Sequence, residues 1–278
     1  MTPAEGRSHG IAGRRVTGPP SDAPSLLQAV AEVARLAGES ALAHFRSGLT
    51  VDTKSDGSPV TEADREAERI ARAWIEERFP SDGILGEEFG ETKPRAARRW
   101  IVDPIDGTKS FIHGVPLWGT LVGLMEGDRV LAGAAHFAAL GESIAAAEGA
   151  GCWWNGERAR VSSVDSMARA TVVTTDERFT AAPARRADWE RLTATAGLVR
   201  SWGDCFGYLL VATGRAEVMT DGVLSAWDAA AVMPIITEAG GVFTDWNGTP
   251  TALGGSAIAT NWALATEART LLGAGTPR

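Results

Sequence analysis

Trp100-Ile101-Val102-Asp103-Pro104-Ile105-Asp106-Gly107-Thr108 joins an apolar run to two carboxylates held three residues apart around a proline. Trp100 to Val102 reads as a buried strand, so both acids are expected at its C-terminal end, where α/β sheets gather their chemistry. Two carboxylates restrained by Pro104 and followed by Gly-Thr make a compact oxygen site suited to a hard cation. Taken alone, an Asp-x-x-Asp pair also fits a turn or a helix cap.

Three further acidic motifs flank this stretch. Leu85-Gly86-Glu87-Glu88-Phe89 places two acids after the short apolar run Ile84-Leu85. Lys54-Ser55-Asp56-Gly57-Ser58-Pro59-Val60-Thr61-Glu62-Ala63-Asp64 is a polar loop entering a helix, with Thr61 as N-cap and Asp64 close to a capping-box position. Ser225-Ala226-Trp227-Asp228 sets one acid at the head of an apolar helix. Four acidic motifs, each at an element boundary, do not resemble a solvated surface.

In this order and at these spacings, the motifs resemble the inositol monophosphatase family of magnesium-dependent phosphatases, from about residue 24 to about residue 272. Asp103-Pro104-Ile105-Asp106-Gly107-Thr108 with Trp227-Asp228 carries that resemblance. Trp202-Gly203-Asp204-Cys205-Phe206-Gly207-Tyr208 is similar to the signature of the family's histidinol-phosphatase branch, which acts in histidine synthesis.

The resemblance implies an α/β (α+β) fold with five layers, α-β-α-β-α, and a site between two lobes. It implies Mg²⁺, two or three ions, held by Glu87, Asp103, the carbonyl of Ile105, Asp106 and Asp228, with Asp103 bridging. Asp64 and Thr108 would be the catalytic pair that activates water, and the amides of Gly107 and Thr108 would face the phosphate. Glu88 either orders water nearby or is a surface acid. Lys54 is a loop contact over the metals or a solvated lysine.

Substrate choice rests on other residues. Histidinol phosphate carries an ammonium and an imidazole, which carboxylates meet better than neutral groups do. Asp204 and Asp221 are acids not used by metal and are assigned to substrate binding, Asp204 having a helix cap as its alternative role. Trp202, Phe206 and Tyr208 would stack on imidazole or pack in the core. The partner is thus a small-molecule phosphate monoester. The rival readings are an inositol-1-phosphatase or broad sugar-phosphate phosphatase, and a non-catalytic partner-binding protein.

Composition agrees with a catalytic domain that needs no partner to fold. The 278 residues are 44% hydrophobic, enough for a sizeable core. A net charge of −8 and a pI near 5.1 argue against a general binder of nucleic acid or anionic membrane. Two cysteines, Cys152 and Cys205, give neither a disulfide framework nor zinc spacing and suit a reduced, cytoplasmic setting. No apolar run reaches the length of a membrane span. Of the four histidines, His9, His44, His113 and His136, none is assigned to metal or acid-base work.

Residues 1–21 read as a flexible tail, and 22–278 as a single catalytic domain with lobes at about 22–163 and 164–278. Apolar spacing predicts helices over Pro24 to Phe45, capped by Ser25 or Asp22, and over Glu62 to Phe79. Three strands follow, Leu117 to Met125, Arg129 to Phe137 and Glu142 to Glu148, then a hairpin pairing 152–154 with 159–161 across Asn155-Gly156. This half is expected to be helices on an antiparallel sheet. The second half alternates strands and helices: 171–175, 185–197, 198–202, 205–213, 217–220, 227–239, 241–244, 256–260 and a final helix to about Leu272. Trp153-Trp154 would help bury a dimer interface, homodimers being common in the family.

Overall fold

The apolar stripe that opens the chain folds as α1 (Ala23–His44), and Asp22 proves to be its cap, its Oδ1 accepting the Ser25 amide at 2.9 Å. The computed structural model describes residues 22–48, 50–53, 57 and 59–275. The N-terminal tail and Lys54 lie outside the described residues. A two-residue hairpin, β1 (Asp52–Thr53) with β2 (Pro59–Val60), leads into α2 (Glu62–Arg78). α1 and α2 lie side by side on one face of the first sheet and bury Val30, Val33, Ala37, Ala67, Ala71 and Ile75 against it.

That sheet is built from β3 (Gly83–Gly86), β4 (Gly90–Thr92), β5 (Arg98–Asp106), β6 (Gly119–Glu126), β7 (Arg129–Phe137), β8 (Glu142–Ala147), β9 (Gly151–Trp154) and β10 (Glu157–Arg158). A one-turn helix, α3 (Thr108–Ile112), interrupts the series after β5. Its order is β10-β9-β8-β7-β6-β5-β3-β4. The meander from β5 to β10 is antiparallel as expected, but β3 runs parallel to β5, so the sheet is mixed. β3 and β4 are too short and too glycine-rich to show a strand period. The last hairpin closes at Glu157 and Arg158 rather than at 159–161, because the tight turn at Asn155-Gly156 pairs the residues flanking it directly.

The second sheet contains β11 (Thr171–Thr174), β12 (Leu198–Arg200), β13 (Val218–Asp221), β14 (Val242–Thr244) and β15 (Ala257–Thr260), in the order β12-β11-β13-β15-β14. Its helices are α4 (Arg186–Thr193), α5 (Asp204–Ala212), α6 (Ala226–Glu238) and α7 (Ala265–Leu271). β11, β12 and β13 are parallel, while β15 runs antiparallel to both neighbours.

The five layers are α1/α2, the first sheet, α5/α6, the second sheet, and α4/α7. The central layer explains why α5 and α6 are apolar on all sides: each is covered by a sheet on either face. α6 can press on the first sheet because Gly123 and Gly133 lack side chains where Ala230 and the Ala231 carbonyl arrive. Among the described residues no helix is long and apolar enough to cross a membrane.

Candidate active site

β5 does not stop before its acids. Pairing with β6 runs to Asp103 opposite Leu121, slips, and resumes at Asp106 opposite Gly119. In an unbroken strand, residues three apart point to opposite faces; the irregularity resets the alternation and lets both carboxylates converge. Pro104 suits the slip because it has no amide for the ladder. Its carbonyl instead accepts the buried Thr120 hydroxyl at 2.7 Å, and Asp103 Oδ1 accepts the Ile105 amide at 3.0 Å.

Asp228 arrives from the third position of α6. Its Oδ2 accepts the Ser225 amide at 3.0 Å in a capping box, which aims the carboxylate back past the helix start. Ligand oxygens of Asp103, Asp106 and Asp228 all lie within 4.8 Å of one another. Glu87 stands outside this trio yet close enough to act electrostatically on Asp103, Asp228 and Asp64.

The acids are crowded, Asp103 buried and Asp106 and Asp228 half-buried, which disfavours their charged forms. Burial first, then Glu87, Asp106 and Asp228, push Asp103 well above the usual carboxylate range. Burial and Asp228 raise Asp106 to about 7, and burial likewise raises Asp228 to about 7. Like charges this close are tolerable only with protons or cations among them. An all-oxygen donor set of converging carboxylates fits a hard divalent cation.

Asp64 occupies the third position of α2, and its Oδ2 takes both the amide and the hydroxyl of Thr61, each at 2.7 Å. It is therefore a helix cap, whatever else it does. Thr108 donates its hydroxyl to the Ile105 carbonyl at 3.0 Å rather than to Asp64, the other member of the expected water-activating pair. The reason is local: each finds a partner three residues away in its own tight turn. Gly107 adopts φ +82°, a left-handed conformation that starts α3.

Asp106 and Asp228 border a cleft of about 840 Å³ that Thr108, Lys109, Arg178, Asp204 and Val223 also line. Asp204 and Asp221 differ sharply there. Asp221 is buried, its Oδ2 accepting the Tyr208 hydroxyl at 2.8 Å and its Oδ1 the Thr175 amide at 3.4 Å. Asp221 borders the same cleft, but unlike Asp204 it already accepts hydrogen bonds from within the fold. Asp204 opens α5 with φ +48°, held by its amide on Thr175 Oγ1 at 2.8 Å. Its carboxylate accepts no hydrogen bond among the described residues and hangs over Gly107. Gly203, not Asp204, is the cap of that helix.

The aromatic residues divide similarly. Tyr208 is buried and packs at 6.2 Å from Phe243, while Phe206, half-buried, meets Phe137 at 5.9 Å with the rings nearly perpendicular. Trp202 is 39% exposed. Cys205 is buried beside Asp106, and burial first, then Asp106, holds its thiol well above the ordinary range. Sequence reading missed Thr175, Ser225 and Glu68; only Ser225 left a signal, the Ser-x-x-Asp spacing of a capping box.

The profile of the inositol monophosphatase family matches residues 22–273. A histidinol-phosphatase of Chlorobaculum parvum is 46% identical over 84% of this chain and 90% of its own length. A histidinol-phosphatase of Mycobacterium tuberculosis is 40% identical over 82% of this chain and 89% of its own. The solved structure of an inositol monophosphatase from Zymomonas mobilis superposes with a TM-score of 0.82 at 31% identity, over 91% of this chain and all of that one.

Proposed function

Since the chain belongs to the inositol monophosphatase family, we propose that it is a Mg²⁺-dependent phosphomonoesterase that converts L-histidinol phosphate to L-histidinol and phosphate in the cytoplasm. The observation that carries the substrate assignment is Asp204: a carboxylate that faces the cleft beside Gly107 and accepts no hydrogen bond there, pushed well above the usual carboxylate range by burial, Asp106 and Asp221 with Lys109 opposing, so that a bound cation would stabilise its charged form. Such a group suits the cationic ammonium of histidinol phosphate and gives a neutral polyol less. The two histidinol-phosphatases similar to this chain support the same substrate.

Asp103, Asp106, Asp228, Glu87 and the Ile105 carbonyl would hold two or three Mg²⁺ ions. Bound there, Mg²⁺ neutralises phosphoryl charge and lowers the pKa of water. The residues supply the rest. The amides of Gly107 and Thr108 face the phosphoryl oxygens. Asp64 and Thr108 orient the attacking water; both Thr61 bonds fall on Asp64 Oδ2, so the cap leaves Oδ1 for that work. Thr108 joins in by releasing the Ile105 carbonyl, a rotation about one χ1 bond. Asp204 holds the ammonium and fixes which ester reaches the water. Reaction is by in-line attack, with no covalent phosphoenzyme, and the protein acts as a homodimer.

The test is phosphate release from L-histidinol phosphate and from inositol 1-phosphate, side by side, with Mg²⁺ and with EDTA, for wild type and Asp204→Asn. Magnesium-dependent preference for histidinol phosphate that collapses in the variant supports the assignment. Equal or reversed preference leaves a phosphatase of the inositol phosphate kind, the reading that the Zymomonas mobilis structure favours.

A further inference from the structure

Glu68 lies one helical turn beyond Asp64 on α2 and is completely buried, 0% exposed, although its carboxylate reaches out of its own helix. Its Oε2 accepts the Glu88 amide at 2.7 Å and its Oε1 the Phe89 amide at 3.2 Å. The same Oε1 accepts Arg72 Nε at 2.7 Å, from the next turn of α2. Arg72 in turn donates to the Gly90 carbonyl, and Phe89 lies under the guanidinium groups of Arg69 and Arg72.

On the other side of Glu87 stands Gly86, where a Cβ would collide with the Glu68 carboxylate itself. Glu87 is therefore bracketed: Glu68 fills the space at residue 86 and captures the amides of 88 and 89, while the Glu87 amide is held by the Val102 carbonyl at 3.1 Å. Four consecutive residues, 86 to 89, have their backbone fixed by one side chain and one strand.

A buried carboxylate takes up such a position at the loss of its hydration, and three donors in good geometry offset that loss. Packing of α2 does not ask for it; Ala67 and Ala71 on the same helix bury against the sheet without any polar group. What the arrangement achieves is a fixed Glu87 next to Asp103.

We propose that Glu68 is a positioning residue that sets the backbone of Glu87 and thereby the affinity of the acidic cluster for divalent metal. The proposal rests on the reading above that Glu87 is a metal ligand. Because Asp64 and Glu68 are i and i+4 on one helix, α2 also ties the water-orienting carboxylate to the metal-binding loop as one rigid piece. Glu68 touches neither water nor substrate and acts through Glu87 alone.

The experiment is a Mg²⁺ titration followed by thermal unfolding and by calorimetry, without substrate, on wild type, Glu68→Gln, Glu87→Gln and the double variant. In Glu68→Gln the side-chain amide presents an NH₂ where only acceptors are wanted, so at least one of the three donors loses its partner. Half-saturation by Mg²⁺ is expected to rise about tenfold or more in Glu68→Gln, the range for residues that orient metal ligands. In the Glu87→Gln background the same change should add almost nothing, a coupling that general loosening of the fold would not give.

Should Glu68→Gln fail to fold, Gly86→Ala takes its place: it keeps the carboxylate but pushes it off the amides, and the same loss of Mg²⁺ affinity is expected. Unchanged half-saturation in a folded Glu68→Gln or Gly86→Ala, or a full tenfold loss on top of Glu87→Gln, overturns the positioning role. A wild type whose unfolding ignores Mg²⁺ would instead remove the metal reading on which the proposal stands.

Discussion

The amide of Cys205 donates to Asp106 Oδ2 at 2.5 Å, a bond between residues 99 positions apart in the sequence. It fastens the start of α5, and with it the neighbouring Asp204, to the acidic end of β5. The acids on β5 and the specificity residue on α5 thus share one fixed frame.

That bond separates charge from structure at Asp106. In Asp106→Asn an oxygen still accepts from Cys205, while a carboxyl raised to about 7 by burial and Asp228 is lost. Relief of like-charge crowding should raise the metal-free melting temperature at pH 8 by several degrees. Hydrolysis should fall at least about a hundredfold with metal affinity. Differential scanning fluorimetry with and without Mg²⁺, alongside a phosphate-release assay, checks both; a wild-type Mg²⁺ response would take Asp106 out of the ligand set.

The pH dependence of the metal-free protein follows from the same acids. Asp106 and Asp228 each sit at about 7 in the fold, against about 3.9 in an unfolded chain. Between those values the folded state holds more protons than the unfolded one, so stability falls as pH rises. The metal-free melting temperature should therefore decline from about pH 4 to about pH 7, and Asp103, held well above the usual carboxylate range, extends the decline beyond that. Saturating Mg²⁺ should flatten or reverse the slope, because cations replace the protons. A metal-free protein that grows more stable between pH 5 and 7 would contradict the crowding described here.

Tyr208→Phe isolates the buried carboxylate. Removing the hydroxyl that Asp221 accepts leaves a buried acid with one weak partner, a loss of about 1–3 kcal/mol. Chemical denaturation should register it, while the ratio of rates on histidinol phosphate and inositol 1-phosphate stays at the wild-type value. A changed ratio would mean that Asp221, which borders the cleft, also contacts the substrate.

Gly133→Ala probes the approach of α6. The added methyl meets the Ala231 carbonyl and Pro234, so the helix must retreat from β7. Overpacking of this kind destabilises by about 1–3 kcal/mol. Since Asp228 rides on α6, Mg²⁺ half-saturation should shift as well, although residue 133 lies on a strand with no metal ligand. A loss of stability with unchanged Mg²⁺ affinity would mean that α6 pivots without moving its first turn.

What the sequence revealed depended on whether the interaction was local. The caps at Asp22 and Thr61, the hairpin at Asn155-Gly156 and the long amphipathic α1 involve neighbours in the chain, and they stand in the structure close to where the spacing put them. The five-layer fold was reached by resemblance rather than by period, since α5 and α6, apolar all round, do not say what covers them. Asp204 and Asp221 look alike as letters. Only the arrival of Tyr208 and Thr175 separates the committed acid from the open one. Glu68 was invisible for a similar reason: an acid on a helix with Arg72 four residues on reads as a surface pair, and the loop that buries it comes from 20 residues later. Parallel pairing of β3 with β5 was equally out of reach, because four residues with glycine at both ends carry no period.

The placement of α6 between the two sheets has a consequence for how the molecule is made. The inner face of the first sheet, including Gly123, Gly133 and Phe137, is complete once β10 has been synthesised, yet the helix that covers it is encoded much later, at 226–238. A nascent chain must hold that apolar face unsatisfied through all the intervening residues, the situation in which partly folded chains associate. Residues 22–163 expressed alone are accordingly expected to aggregate or to require a chaperone, and to fold only when 164–275 are supplied. Such an outcome would make residues 22–275 one unit of folding.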